Sequence, residues 1–523
     1  MSQIALYFVL VLGGLLLVPV SERLRLPAPV LTTVYGFLVA LAPFLPQLRL
    51  APDALLPLVL PPLLYAAARR SSWRRFAAHL RPILVLAIVV VFLTAAAVAA
   101  VAATVHPALP LGSAVVLGAI VSPPDAAAVV AIAGRLGLPR RLVTVLEGEG
   151  LFNDVVALTF YQVTVAGVVA GSVSVWNAGA RFCYAAVVAV VIGLAIGWLA
   201  ALCFDQFSNA RLTTGLSLLV PYAAYVAADE LSASGVLAVI TTTFYLGVKS
   251  ADPDDTSLRL VMGSFWNVTE LMVTAITFGI VGSELVIVLR AVDDVAGQVW
   301  TAILIAAVVI GVRAGWMALG VVLAKLGIPA PERHVDWRAS MVAAWSGMRG
   351  VVTIVTALAL PTTIDDGSPF PGREHIQLVA MVVVVVTLVV QGLTLPGLVN
   401  LLGIRIDVRR QDSERTAVVT VAHDAAMKRL TALQTEGQVP GELADRLRGW
   451  FIDISAEWAD REGFGPEPAE RIARRRTVRH CEAELLAAAR SALVDARLTT
   501  RLDPVLIDEV LWNLDLRSAG RTP

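Results

Sequence analysis

The chain reads as a succession of long apolar runs separated by short polar connections. A helix that crosses a bilayer needs roughly 20 consecutive apolar residues. About 13 runs approach that length on this criterion, at 4–20, 27–45, 54–68, 82–105, 112–134, 142–170, 181–204, 212–229, 233–248, 260–289, 297–324, 338–360 and 375–402. The third is short and carries Pro61-Pro62. The pattern predicts an all-α polytopic membrane protein over 1–403. After Gly403 the apolar runs stop, and residues 404–523 become rich in Arg, Glu and Asp with apolar residues at helical spacing, as in 443–459. That stretch predicts a small helical cytoplasmic domain, suited to regulation.

Composition agrees. Hydrophobic residues make up 57% of the chain and charged residues 16%, against about 25% in soluble proteins. The formal net charge is zero, so nothing points to a nucleic-acid partner. Cys183, Cys203 and Cys481 show no disulfide or metal spacing. The run from Ile4 to Val20 lacks a basic leader and a cleavage site, which predicts a retained helix. Basic residues crowd alternate connections. One set holds Arg23 and Arg25, then Arg69, Arg70, Arg74, Arg75 and Arg81, then Arg135, Arg140 and Arg141, and later Arg211, Lys249, Arg259, Lys325, Arg333 and Arg338. The other set holds Arg49, Arg181, Arg290 and Arg373. The asymmetry predicts an external N-terminus and a cytoplasmic C-terminus in the plasma membrane.

An ionisable residue inside a span costs about 2.5–3.5 kcal/mol at the bilayer centre on insertion scales and marks function. The candidates are Asp125, Glu149, Asp154, Glu270, Arg313 and Arg349. At 1.5 Å per residue, Asp154 lies ~20 Å from Arg141, Asp125 about as far from Gly112, and Arg349 ~17 Å from Arg338. All three fall near the midplane. Asp125 follows Ser122-Pro123-Pro124, and Gly347-Met348-Arg349-Gly350 interrupts a second run. Interruptions at matching places in two halves point to an inverted-repeat transporter with its site at the midplane. Between them stands Glu147-Gly148-Glu149-Gly150-Leu151-Phe152-Asn153-Asp154. Residues four apart share a helix face, so Glu149 lies with Asn153 and Gly150 with Asp154, where Gly150 leaves room beside the carboxylate for an ion or water. Arg313, isolated in the run from Ile303 to Leu323, is the expected partner of Glu149.

These stretches resemble the monovalent cation/proton antiporter family, in its sodium/proton exchanger branch. Glu149-Gly-Leu-Phe-Asn153-Asp154 is similar to that branch's Glu-Ser-Leu-x-Asn-Asp signature, Ser122-Pro-Pro-Asp125 to its Ser-Pro-Thr-Asp break, and Trp345-Ser-Gly-Met-Arg349-Gly350 to its Gly-Gly-Leu-Arg-Gly break. Phe265-Trp266 with Glu270, Phe278 and Gly282, and Gln391-Gly-Leu-Thr-Leu-Pro396, also fit. The resemblance spans 4–402 in family order and leaves 404–523 uncovered. It implies a 13-helix fold with inverted repeats and two broken crossing helices, a homodimer in lipid, and elevator-like movement. It implies no cofactor and no enzyme activity, only transported Na⁺ or K⁺ exchanged for H⁺. In it Asp154 carries both cation and proton, Asn153 marks the electroneutral branch, Glu149 pairs with Arg313, and Asp125 and Arg349 balance half-helix ends.

The sequence departs from the pattern at Pro124 (usually Thr), Gly150 (usually Ser) and Ala66 (often Glu). All three concern ion surroundings, and they bear on selectivity more than on exchange. A partly dehydrated carboxylate at Asp154 would take up a proton or a cation in competition, which is exchange. A transport-inactive membrane sensor signalling through 404–523, and an ion channel, are the alternatives. The retained Asp154, Asp125, Glu149 and Arg313 speak against the first. The single carrier carboxylate and the lack of a repeated filter sequence speak against the second.

Overall fold

A computed structural model describes residues 3–458 apart from 25–27, 43–51, 71–76, 78–79, 126–135, 137, 172–174, 208, 250–255, 292–293, 327–336 and 405–407, and beyond 458 describes only positions 489 and 492. Arg25, Arg49, Arg74, Arg75, Arg135, Arg333 and Cys481, and most of the predicted C-terminal domain, lie outside the described residues. The chain forms two compact units, Met1–Ile406 and Asp407–Pro523.

Each predicted apolar segment of the first unit contains helix among its described residues: α1 (Gln3–Leu24), α2 (Ala28–Leu41), α3 (Pro52–Arg70), α4 (Leu80–Val105), α5 (Leu111–Val121), α6 (Arg140–Val169), α7 (Val175–Asp205), α8 (Ala210–Asp229), α9 (Gly235–Lys249), α10 (Thr256–Ala291), α11 (Val295–Lys325), α12 (Trp337–Trp345), α13 (Val351–Leu358) and α14 (Arg373–Leu402). Six of them, α4, α6, α7, α10, α11 and α14, contain stretches long and apolar enough to cross a bilayer. Helix is what lipid demands, because no water is there to satisfy backbone N–H and C=O groups. Among the described residues the one β feature is an isolated bridge between Thr363 and Pro369.

Local chemistry sets the helix ends. Asn209 caps α8, its side chain accepting from the N–H groups of Arg211 and Leu212 at 3.0 and 3.3 Å. Asp294 caps α11 through the Gly297 N–H at 3.0 Å. Gly403 ends α14 in the left-handed conformation, φ 62°. Within α4, Leu86–Val90 form a π-helical turn that packs against α6 and α11. Such turns shift the register of one face relative to the next.

The helices sort into two bundles. A flanking bundle packs α1, α2 and α10 together with α3, α7, α8 and α9, while a site bundle packs α4, α5, α6, α11, α12, α13 and α14. Their seam runs between α6 and α7 or α9, between α3 and α13, and between α10 and α13 or α14. Lipid tails are as apolar as leucine, so close packing and satisfied polar groups, rather than burial of apolar area, hold such bundles together. α7 accordingly leaves Tyr184, Val187, Val191, Trp198 and Leu199 exposed on its outer face.

In the second unit, α15 (Val408–Thr435) and α16 (Gly441–Trp458) are joined through a turn at Gly437, φ 73°. Val419, Leu430 and Ala444 are buried between them, and His423 Nδ1 meets the buried Ser455 Oγ at 3.1 Å.

Candidate functional site

The two interruptions face each other. α5 stops at Val121 because Pro123 and Pro124 have no N–H to offer the preceding turn. The N–H of Asp125 turns away and donates to Met348 O at 2.6 Å, across to the second interruption. The carbonyls at the end of α5 therefore need other donors. Ser122 Oγ serves Ala119 O at 3.0 Å. Arg349 serves two more, with Nε 2.8 Å from Val121 O and Nη2 3.0 Å from Ser122 O. Its Nη1 donates to Gly347 O, and its own N–H donates to Thr387 Oγ1 at 3.1 Å. One buried guanidinium thus joins both interruptions and sits at the negative end of α5.

The second interruption separates α12 from α13 and depends on space. A Cβ at Gly350 would overlap the Asp125 carboxylate, and one at Gly347 would overlap the Arg313 side chain. Glycine at 350 lets Asp125 sit against the N-terminus of α13, the positive end of that half-helix. Each interruption thus places its charge on the other.

Arg313 from α11 lies beside Gly347. Its Nε donates to Ala343 O of α12 at 3.0 Å. Both its Nη atoms donate to Glu149 of α6, Nη1 to Oε1 and Nη2 to Oε2 at 2.8 Å. Glu149 and Arg313 are 1% and 2% exposed. A bidentate fork satisfies both ions where either alone would be costly. One turn along α6, Asn153 Nδ2 donates to Glu149 Oε1 at 3.3 Å. Asn153 is fully buried, and its Oδ1 has no hydrogen-bond partner. Asp154 keeps partial exposure, and its charge couples to that of Asp125. Among the described residues no basic side chain pairs with Asp154.

Glu149 and Gly150 share a narrow crevice with Pro124, Leu146, Arg313 and Ser346. Two of the three departures, Pro124 and Gly150, are therefore neighbours. Ala66 lies instead in an apolar cluster with Tyr65, Leu151 and Val155. Every residue singled out in the sequence at this site, namely Asp125, Glu149, Gly150, Asn153, Asp154, Arg313 and Arg349, belongs to the site bundle.

Glu270 stands apart from it. It receives both Nη atoms of Arg70, Nη2 at 2.8 Å, linking α3 to α10 near one end of the flanking bundle. The sequence places Arg70 in a connection, just beyond the third run at 54–68. The helix runs two residues farther, to Arg70, with Pro57, Pro61 and Pro62 inside it. Glu284 of α10, which feels the charge of Arg373 at the start of α14, was also missed. The available signal was a carboxylate inside the run 260–289.

Fold and site together define a multi-pass helical membrane protein built around two interrupted helices whose ends are cross-neutralised. The family described as "Sodium/hydrogen exchanger, transmembrane" matches residues 8–401. An uncharacterized Na⁺/H⁺ exchanger of Mycobacterium tuberculosis is 31% identical over 98% of this chain and 94% of its own. The Na⁺/H⁺ antiporter ApNhaP of Aphanothece halophytica is 31% identical over 73% of this chain and 71% of its own. A sodium, potassium, lithium and rubidium/H⁺ antiporter of Bacillus pumilus is 30% identical over 71% of this chain and 57% of its own. The solved sodium proton antiporter MjNhaP1 of Methanocaldococcus jannaschii has the same fold, with TM-score 0.62 at 18% identity, covering 77% of this chain and 99% of that one. The chain belongs to the sodium/hydrogen exchanger family.

Proposed function

We propose that this chain is an electroneutral antiporter exchanging one monovalent cation for one H⁺, with Asp154 as the carboxylate both ions share. The carrying observation is the distribution of charge around α6. Glu149 is neutralised by Arg313. Asp125 sits against the N-terminus of α13, and Arg349 against carbonyls of both interruptions. That leaves Asp154, partly exposed and without a basic partner among the described residues, as the group free to change its load. Asn153 cannot titrate, so one negative charge is available per cycle, and it holds either a proton or a cation. Its unpaired Oδ1 is an oxygen ligand for a hard cation. The ion gradient drives the cycle.

Na⁺ and K⁺ are both substrates in this reading, with Li⁺ a third. Pro124 and Gly150 offer no hydroxyl to the crevice, so water and backbone carbonyls must complete the ion's shell. Ligand number and flexibility set selectivity, and such a shell discriminates weakly by size. The broad cation range in the name of the Bacillus pumilus relative fits this expectation. The reading includes thirteen crossings with inverted repeats, a homodimer, a plasma-membrane location with external N-terminus and cytoplasmic C-terminus, and a regulatory role for 404–523. It rests for these on the resemblance and on the arginine asymmetry.

The test is proton release from everted vesicles on addition of Na⁺ or K⁺, with wild type and Asp154→Asn compared. The expected result is release in wild type, none in the variant, and unchanged membrane insertion. In proteoliposomes an imposed membrane potential should leave the wild-type rate unaltered. Wild-type rates in Asp154→Asn would overturn the carrier assignment, and steep voltage dependence would overturn the one-for-one stoichiometry.

A further inference from the structure

Gln391 of α14 is fully buried, and among the described residues neither Oε1 nor Nε2 of its amide has a hydrogen-bond partner. It opens the stretch Gln391-Gly-Leu-Thr-Leu-Pro396, which takes no part in the charge pairing around Asp154. Its neighbours on α14 fix where it stands. Thr387, Gln391 and Thr394 follow one another at steps of four and three, so they share one face of the helix. Thr387 Oγ1 accepts from the Arg349 N–H at 3.1 Å, and Thr394 Oγ1 accepts from Trp345 Nε1 at 2.8 Å. Gln391 lies between these two contacts. It therefore comes level with Ser346, Gly347 and Met348, in the middle of the second interruption. The polar groups of that segment are engaged elsewhere. Ser346 Oγ donates to Val342 O at 2.6 Å, Gly347 O accepts from Arg349 Nη1, and Met348 O accepts from the Asp125 N–H. Ser346 also lines the crevice that holds Glu149 and Gly150.

A buried amide with both ends unpaired raises the energy of the arrangement that leaves it so. A side chain needed only to fill this space would serve better as methionine or leucine. Such a group calls for a role, and a store of strain is one of the few that fit. Exchange needs two arrangements of comparable energy. A group that is unpaired in one and paired in the other narrows the gap between them. We propose that Gln391 is a positioning residue for exchange: its amide is unpaired in the arrangement seen here and pairs with the Ser346–Gly347 segment in the alternate one, drawing the second interruption over. It acts through that interruption, whose Gly350 end holds Asp125, rather than on the cation itself. The role rests on the exchange reading above.

The test sets stability against rate in the full chain. Gln391→Met and Gln391→Leu keep most of the side-chain volume and remove the amide. Each is purified beside the wild type, its melting temperature is measured in detergent, and its maximal rate of Na⁺-driven proton release is measured in proteoliposomes. The expected result is a melting temperature raised by a few degrees together with a maximal rate lowered severalfold. A residue that merely supports the fold cannot give that combination, because its loss lowers the melting temperature. The rate is read in whichever variant melts higher. A raised melting temperature with the wild-type rate overturns the proposal. So does a melting temperature that rises in neither variant, or a failure of both to fold, since the amide would then be holding the present arrangement together. A wild-type chain that shows no exchange would sink the exchange reading and this role with it. Normal wild-type exchange with unaltered variants sinks the role of Gln391 alone.

Discussion

The two interruptions do the same job with opposite chemistry. The first, Ser122 to Asp125, is made by prolines; the second, Ser346 to Gly350, by glycines. Prolines remove donors, so the first leaves carbonyls wanting partners, and a cation answers: Arg349 caps Val121 and Ser122. Glycines remove side chains, so the second leaves room, and two side chains from elsewhere fill it, Arg313 beside Gly347 and Asp125 beside Gly350. The lesson is that a broken membrane helix is stable only with a partner fitted to what the break took away. Here each break is the other's partner.

Changes that strip one interruption of its partner test that contrast. The largest effect is expected from Arg349→Gln, which leaves several buried carbonyls short of a donor at about 1–3 kcal/mol each. A collapse of thermal stability in detergent, with loss of exchange, should follow. Glu149→Gln comes next. Removing one partner of a buried ion pair costs about 3–5 kcal/mol, and Arg313→Gln on top should add little. Fully additive losses in the double-mutant cycle would show that the two do not act as a pair. Gly350→Ala should cost about 1–3 kcal/mol by overpacking against Asp125. It should be partly rescued by shortening the intruded side chain with Asp125→Ser, and absence of rescue would move the clash elsewhere. Pro124→Thr should have the smallest effect on stability, under about 1 kcal/mol, because Pro124 lies outside any helical ladder. It should raise apparent Na⁺ affinity relative to K⁺ by returning a hydroxyl to the crevice, as should Gly150→Ser. Equal affinities before and after both changes would remove these positions from the ion's surroundings.

Much of this arrangement was legible in the sequence. Prolines and glycines announce interruptions, and a charge in an apolar run announces itself, so Asp125, Glu149, Arg313 and Arg349 could be named from the chain. Hydropathy could not show which charge at the edge of a run turns inward. Arg70 and Arg373 sit at helix ends, where a basic residue ordinarily reports orientation, yet Arg70 pairs with Glu270 and Arg373 Nε caps Leu360 O. Glu284 was passed over near the end of its run, where a carboxylate reads as solvated. The π-helical turn at Leu86–Val90 has no compositional mark at all, since its residues are ordinary span residues. Nor could composition show that Ala66 stands with an apolar cluster while Pro124 and Gly150 share a crevice.

The crossed partnership also sets a timetable for synthesis. Arg349 is separated from Val121 by 228 positions and from Ser122 by 227. A ribosome adding about 5–20 residues per second needs some tens of seconds at the slow end, and about ten at the fast end, to reach it. During that interval α5 and Asp125 are already made, and the arginine that caps them does not yet exist. The nascent first half must therefore wait with an unfinished break, either hydrated or still at the insertion machinery. Slowing elongation between the two halves should lengthen this exposed period, and the waiting intermediate is where a quality-control protease would find its substrate.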